Sequence, residues 1–370
     1  MNPTKQRIIF IATEFAPGMI PFASSIINTL NTDPRFDVYA IVVNSGKYSY
    51  KGKIIIPEEK ICYIEYPTSK SIKLLYKFYP YKIIQTIQKF KKEIHPHAIH
   101  LLTGEFSLAP YFFFKKSNDN LYYTVHDLHP HEIEKNNLFS ILRRYIVIGN
   151  KILRNKIPNL TTCSIHQYEE LKEIYPQKNI VFSHFPSLIT PQISGGMQVV
   201  PELINISNYI LFIGNINRYK GVDFLINTLK GSDILKKHKL VIAGKGGHYD
   251  NLIDTQNIIR INRFINDEEI KDLFSKSCLV IYPYRSATMS GVLSLAYYFN
   301  KKVVMTDIPF FREYSCKNSF YFKKEDPKDL EENILNALSS KSEEVNTYLK
   351  FYDPQMIIND LYKLYNKTQK

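Results

Sequence analysis

The chain has 370 residues, enough for about two domains with substantial interiors. Its 44% hydrophobic content, with no run of about 18 uncharged apolar residues, points to a globular fold and away from a membrane-spanning one. A formal charge of +13 and a pI near 9.2 call for an anionic partner, whether nucleic acid, a membrane surface or a phosphorylated substrate. Cys62, Cys163, Cys278 and Cys316 are far apart and form no C-x-x-C pair, so neither disulfides nor a zinc site is implied. The opening stretch "MNPTKQRIIFIATEF" lacks the long apolar region and cleavage site of a signal peptide, and the expected location is the cytoplasm.

Apolar runs alternate with helical stretches from end to end, the pattern of parallel α/β domains. In the first half, strands are predicted at "RIIFIAT", "DVYAIVV", "CYIEY", "AIHLLT", "LYYTVHD" and "NLTTCS", with helices such as "PFASSIINTLN" and "HQYEELKEIYP" between them. Residues 70–92 hold seven lysines and no acid, interleaved with aliphatic and aromatic residues. Such a basic amphipathic segment either lies on anionic lipid or packs on the core beneath a solvated lysine face. The strand end "TVHDLHPHE" concentrates His126, Asp127, His129, His131 and Glu132, which is compatible with a metal site, an ordinary polar loop or a substrate-contacting strand end.

A linker-like stretch rich in Pro, Gly and Ser, residues 186–207, precedes a restart of the pattern at "YILFIG", "KLVIAG", "IIRINRF", "LVIYPY" and "KKVVMTD". The expected organisation is therefore two doubly wound Rossmann-like domains, residues 1–190 and 205–345, facing across a cleft, followed by a C-terminal helix, 346–370, packing back on the first. Ligands of open α/β sheets bind outside the strand C-termini.

Within the second half, "YILFIGNINRYKGVDFLINTLK" reads as a strand, a loop carrying Gly214, Arg218 and Lys220, and a helix from Gly221. Further on, "PYRSATMSGVLSLAYYFNKKVVMTD" passes from a strand end to Ser290-Gly291 at the mouth of a helix, where unpaired amides and the helix dipole favour phosphate; an ordinary N-cap is the simpler alternative. A diphosphate between the two stretches would meet positive charge from both sides. "KLVIAGKGGHYDN" fails as a dinucleotide fingerprint, because Tyr249 stands where a third glycine belongs.

These motifs together resemble the nucleotide-sugar-dependent glycosyltransferases of family 4, which have the two-domain GT-B fold. The likeness runs in family order through "LFIGNINRYKGVDFLI", "LVIAGKGG", "INRFINDEEIKDLF", the Ser290-Gly291 stretch and Glu313, with "TVHD" at the place of the family's His-Asp strand end. It covers residues 120–340 well and residues 1–119 only in general order. The resemblance implies His126, Arg218 and Lys220 in the reacting centre. It implies donor contacts from Gly214, Asn215, Arg263, Phe264, Ile265, Thr288, Met289, Ser290, Gly291, Val292 and Glu313, and acceptor-side contacts from Gly18 and Asp127. It calls for no metal and no cofactor, only a UDP- or GDP-linked sugar as substrate, because cations and a helix end would neutralise the departing diphosphate.

Two departures stand out. The family's paired glutamates, eight positions apart, are replaced by Ala287 and Leu295, neither of which can accept a hydrogen bond from a sugar hydroxyl, and its usual arginine after the glycine is Asn215. The implied activity is retaining, metal-independent sugar transfer to a lipid-linked glycan in surface-polysaccharide synthesis, at the inner face of the cell membrane and without nucleic acid. The rival is a sugar-nucleotide or glycan-binding protein on a decayed transferase scaffold.

Overall fold

The computed structural model describes residues 5–14, 18–46, 48–103, 106–113, 120–129, 139–246, 256–341 and 347–366. The chain divides into two compact units, one formed by Met1–Pro186 with Asp353–Lys370 and the other by Ser187–Tyr352.

The first unit runs β1 (Gln6–Ala12), α1 (Met19–Asn31), β2 (Phe36–Asn44), β3 (Ile61–Glu65), α2 (Lys70–Phe78), α3 (Tyr81–Ile94), β4 (Ala98–Leu101), α4 (Ala109–Phe113), β5 (Leu121–Thr124), α5 (Phe139–Lys156), β6 (Asn159–Thr162), α6 (Ile165–Ile174) and β7 (Asn179–Phe182). Its strands form one parallel sheet in the order β3-β2-β1-β4-β5-β6-β7. Continuous apolar runs such as "IIFIA" suit central strands, because helices cover both faces and no face needs polar residues. β7 was not predicted: "NIVF" is short and only one of its residues is fully buried, so its apolar signal is weak at this sheet edge.

The segment 70–92 is two helices, because Pro80 caps a new start after Tyr79. α3 buries Ile83, Ile84 and Ile87 in the core under exposed lysines. α2 does the opposite. Only Tyr76 is buried, while Leu74 is 60% and Leu75 58% exposed and Ile72 and Phe78 are both 47% exposed, beside Lys70, Lys73 and Lys77. Tyr145 of α5 fixes this helix in place by donating to the Lys77 carbonyl at 3.1 Å.

The last helix, α15 (Pro354–Asn366), belongs to this unit and is tied to the sheet through His100, which is fully buried on β4. One ring nitrogen of His100 meets the Tyr365 hydroxyl at 2.7 Å and the other the Thr124 hydroxyl at 2.9 Å. Burial, with a lesser contribution from His126, lowers its pKa to about 3. The folded-state pKa thus lies below the unfolded one, so the stabilisation present above pH ~6.5 is lost as pH falls toward the folded value. By pH 5 the loss reaches about 2 kcal/mol, and His100→Gln should flatten this part of the pH dependence in urea melts. Equal slopes in the two proteins would assign the acid sensitivity to other groups.

The second unit contains α7 (Pro191–Ser194), β8 (Tyr209–Ile213), α8 (Val222–Leu229), α9 (Asp233–Lys237), β9 (Leu240–Ala243), β10 (Ile258–Ile261), α10 (Ile270–Ser275), β11 (Ser277–Tyr282), α11 (Val292–Tyr298), β12 (Lys302–Thr306), α12 (Pro309–Glu313), β13 (Ser319–Phe322), α13 (Pro327–Ser339) and α14 (Thr347–Tyr352). The sheet is parallel, in the order β10-β9-β8-β11-β12-β13. The linker-like stretch is built into this unit: Val200 donates its amide to Asp272 at 3.0 Å and Gln198 to the Glu268 carbonyl at 3.2 Å. Among the described residues, no helix is long and apolar enough to cross a membrane.

Candidate donor site in the second unit

Three glycine contacts draw the loops beyond the strand C-termini together. Gly244, after β9, has φ +147, and a Cβ there would stand 1.9 Å from the Gly214 carbonyl oxygen. Gly221 has φ +66, and its Cβ would meet the Pro283 carbonyl at 1.9 Å. Gly214 itself has φ +138, with Lys220 Nζ 2.8 Å from where its Cβ would be. Only glycine permits these backbones to approach so closely in such conformations. The loops after β8, β9 and β11 are thereby locked side by side at the sheet's ligand-binding edge.

Arg218–Lys220 forms a 3₁₀ turn closed by Gly221. Arg218 is exposed, whereas Lys220 is only 8% exposed. Its ammonium has no carboxylate partner among the described residues; it faces the rings of Tyr284 at 5.1 Å and Tyr219 at 5.9 Å. Burial pulls its pKa down. A buried cation without a counter-ion is costly, and an entering anion would relieve that cost.

Beyond β11, the loop carries half-buried Thr288, Met289 and Ser290 and buried Gly291 into α11. Gly291 has φ −74 and ψ −7, a conformation open to any residue, so only close approach of a ligand would require glycine there. The start of α11 is braced: Ser294 Oγ donates to the Gly291 carbonyl at 2.6 Å, and Tyr282 to that of Val292 at 3.0 Å. Amides at a helix start have no intrahelical acceptor and point outward. Val292 and Glu313 are half-buried, and Asn215 is exposed.

Sequence reading missed Arg285. It donates to both Asp223 oxygens at 2.8 and 2.9 Å, to Glu325 at 2.7 Å and to the Arg218 carbonyl at 2.6 Å, stitching the β11 loop to the Lys220 turn. No motif signals this, since its partners are 62 and 40 residues away in sequence.

Arg263 proves less available than a ligand-binding cation. Its guanidinium donates to Glu202 at 2.9 Å and Glu269 at 2.7 Å, and to the Phe264 carbonyl at 3.3 Å, which engages all five N–H groups. Those carboxylates hold its pKa above the usual value, and it holds theirs down. What this segment can offer a base is its main chain and the exposed Phe264 ring; Ile265 is buried.

In the first unit, His126 follows β5. Its Nε2 lies 2.6 Å from the Leu102 carbonyl, which can only accept, so Nε2 carries the proton and Nδ1 is a buried acceptor without a partner. The ring rests edge-on against Phe22 of α1 at 4.7 Å. Asp127 is exposed, and a side chain at Gly18, the N-cap of α1, would meet nothing within 4 Å. His129 pairs with Glu170, while His131 and Glu132 lie outside the described residues.

Residues 207–340 match the family model for glycosyl transferases group 1. This segment is a glycosyltransferase group 1 domain. No curated protein matches the sequence. Among solved structures, sucrose-phosphate synthase from Thermosynechococcus elongatus is similar at a TM-score of 0.70 and 12% identity, over 98% of this chain and 99% of that one. HepE of Anabaena, in complex with UDP and glucose, gives a TM-score of 0.67 and 14% identity over 97% and 98% of the two chains. WaaG, a glycosyltransferase involved in lipopolysaccharide biosynthesis, gives 0.59 and 17% over 97% and 98%. At these identities the likeness establishes the fold, GT-B, and the glycosyltransferase domain holds the Gly214, Lys220 and Ser290 loops described above.

Proposed function

We propose that the chain is a retaining, metal-independent glycosyltransferase that moves a sugar from a UDP- or GDP-linked donor to a lipid-linked glycan at the inner face of the membrane. The observation that carries this reading is the buried Lys220 beside Gly214, without a carboxylate partner among the described residues, in the segment that matches the glycosyl transferases group 1 model. In the reaction the bond from the anomeric carbon to the phosphate oxygen breaks and its electron pair leaves with the nucleoside diphosphate. The acceptor oxygen bonds to that carbon, and its proton passes to the leaving phosphate. Lys220, Arg218 and the amides of Ser290–Val292 stabilise the charge that develops on the diphosphate, the service a metal ion performs elsewhere. His126, whose buried Nδ1 has no partner, is assigned to the substrate side on the family resemblance alone. The complexes of HepE with UDP and glucose support a sugar nucleotide as donor, and WaaG's part in lipopolysaccharide synthesis supports a lipid-linked acceptor.

Purified protein should be screened by thermal shift and hydrolysis against UDP-, GDP- and other nucleotide sugars, in EDTA. Stabilisation by one donor that is slowly hydrolysed supports the transferase. Stabilisation without hydrolysis, even with acceptor present, would favour the binding protein, to which Ala287 and the buried Leu295 lend weight because neither can hold a sugar hydroxyl.

Membrane contact is assigned to α2. Each lysine near an anionic surface contributes about 1 kcal/mol, and burying the exposed leucines and Phe78 in the interface contributes about 25 cal/mol per Å². Leu74→Ser with Leu75→Ser, or Lys70→Gln, Lys73→Gln and Lys77→Gln together, should release the protein from vesicles containing anionic lipid without altering donor hydrolysis. Co-sedimentation insensitive to salt and to both sets of changes would leave α2 as a solvated helix.

A further inference from the structure

Tyr284, in the "YPYRS" stretch just beyond β11, is 1% exposed. Its ring packs against Tyr219, Tyr282 and Phe311, at centroid distances of 6.1, 5.8 and 5.4 Å. In sequence it reads as one more core aromatic. Its hydroxyl, however, is buried with no partner that meets it at full hydrogen-bond geometry; the Ser290 side chain comes near enough only to interact weakly. Other buried tyrosines of this unit are satisfied: Tyr209 donates to the Leu273 carbonyl at 2.6 Å, Tyr282 to Val292 at 3.0 Å and Tyr297 to Tyr314 at 2.6 Å. Tyr352 shares the unpartnered state, but it sits among the rings of Tyr314 and Tyr348, with no cation over its ring among the described residues. An orphaned hydroxyl in a well-packed interior calls for an explanation.

Location supplies one. The point where a Cβ of Gly214 would stand is 2.8 Å from Lys220 Nζ and 4.0 Å from Tyr284 Oη. An ammonium and a phenol therefore converge on bare backbone that no side chain occupies. Burial pushes the Tyr284 phenol pKa up, while a weak hydrogen-bonding interaction with the Ser290 side chain draws it the other way. The hydroxyl is thus a neutral donor set between the Lys220 turn and the loop that enters α11. A phenol donating to a phosphate oxygen makes a charge-assisted hydrogen bond, stronger than one to a neutral acceptor.

Resting on the donor-site reading, we infer that Tyr284 is a further diphosphate-binding residue, its hydroxyl donating to a phosphate oxygen of the nucleoside diphosphate alongside Lys220. Because the hydroxyl and the Lys220 ammonium converge on the same point above Gly214, it is assigned to the same phosphate as Lys220, the one farther from the nucleoside. It therefore separates diphosphates from monophosphates, and holds the leaving group after transfer.

The test is calorimetric titration of wild type, Tyr284→Phe and Lys220→Met with UDP, GDP and ADP and with the matching monophosphates. Tyr284→Phe keeps the ring over the Lys220 ammonium and removes only the hydroxyl. It should weaken the diphosphate roughly tenfold or more, change the monophosphate by less than about twofold, and leave the ligand-free melting temperature equal to or above wild type, since an unsatisfied buried hydroxyl has been deleted. A diphosphate affinity within about twofold of wild type, while Lys220→Met loses binding, would overturn the Tyr284 assignment and leave the donor site standing; a hydroxyl satisfied only by buried water would give that result. If wild type binds no nucleoside diphosphate, or Lys220→Met binds as wild type does, the donor site itself is misplaced and this assignment falls with it. Should Tyr284→Phe fail to fold, 3-fluorotyrosine at position 284 keeps ring and hydroxyl. Its fluorine resonance should move on adding diphosphate and stay in place with monophosphate, and a resonance indifferent to both would count against the assignment.

Discussion

Lys220→Met should weaken nucleoside diphosphate binding by about 1.5 to 3 kcal/mol, the worth of a hydrogen bond to a charged group, and at the same time raise the melting temperature of the ligand-free protein. The two effects have opposite signs for one reason. Lys220 is 8% exposed and lies over two tyrosine rings without a carboxylate partner among the described residues, so its charge is a burden on the empty fold. Methionine keeps most of the apolar stem and removes that burden. A phosphate gives the ammonium the partner it lacks, and the variant forfeits that gain. Titration calorimetry and a thermal melt read both quantities on the same sample. Weaker binding accompanied by a lower melting temperature would mean that Lys220 is chiefly structural.

Gly244→Ala should be the most damaging single change in the second unit. Its Cβ would stand 1.9 Å from the Gly214 carbonyl oxygen and 2.7 Å from the carbonyl carbon, and both are backbone atoms that cannot rotate away. The φ of +147 adds strain that alanine adopts poorly. We expect a loss of about 3 kcal/mol or more, a fall in melting temperature of roughly 6 to 12 °C, and nucleotide binding reduced as well because Gly214 is pushed toward Lys220. Gly231→Ala is the matched control. Gly231 also has a positive φ, +86, but nothing lies within 4 Å of its missing Cβ, so only the conformational cost of about 1 kcal/mol applies. Equal losses in the two variants would show that strain, not the collision with Gly214, sets the cost.

Much of this architecture was legible in the sequence because central parallel strands are buried on both faces and write themselves as unbroken apolar runs, as "YILFI" and "KVVMT" do. Two edge strands do not: "NIVF" of β7 and "SFYF" of β13 each bury only one residue of four, whereas β10, equally short and also at an edge, buries two and is marked by "IIRINRF". The donor loops were legible as glycine and cation spacing. What the spacing could not convey was contact at a distance. The pairing of Arg263 with Glu202, 61 residues away in the linker-like stretch, is one such contact. Tyr284 looked like core until its hydroxyl was found without a partner at full hydrogen-bond geometry. The lysine-rich segment looked uniform, yet a single proline divides it into a core helix and one whose apolar side faces solvent.

The most direct test of the account is a structure of the protein bound to a nucleoside diphosphate. The account predicts the phosphate farther from the nucleoside within about 3 Å of Lys220 Nζ and of the amides at Ser290–Val292, with Gly214 beneath it. A nucleotide bound elsewhere on the chain, or one whose diphosphate faces solvent away from Lys220, would contradict it.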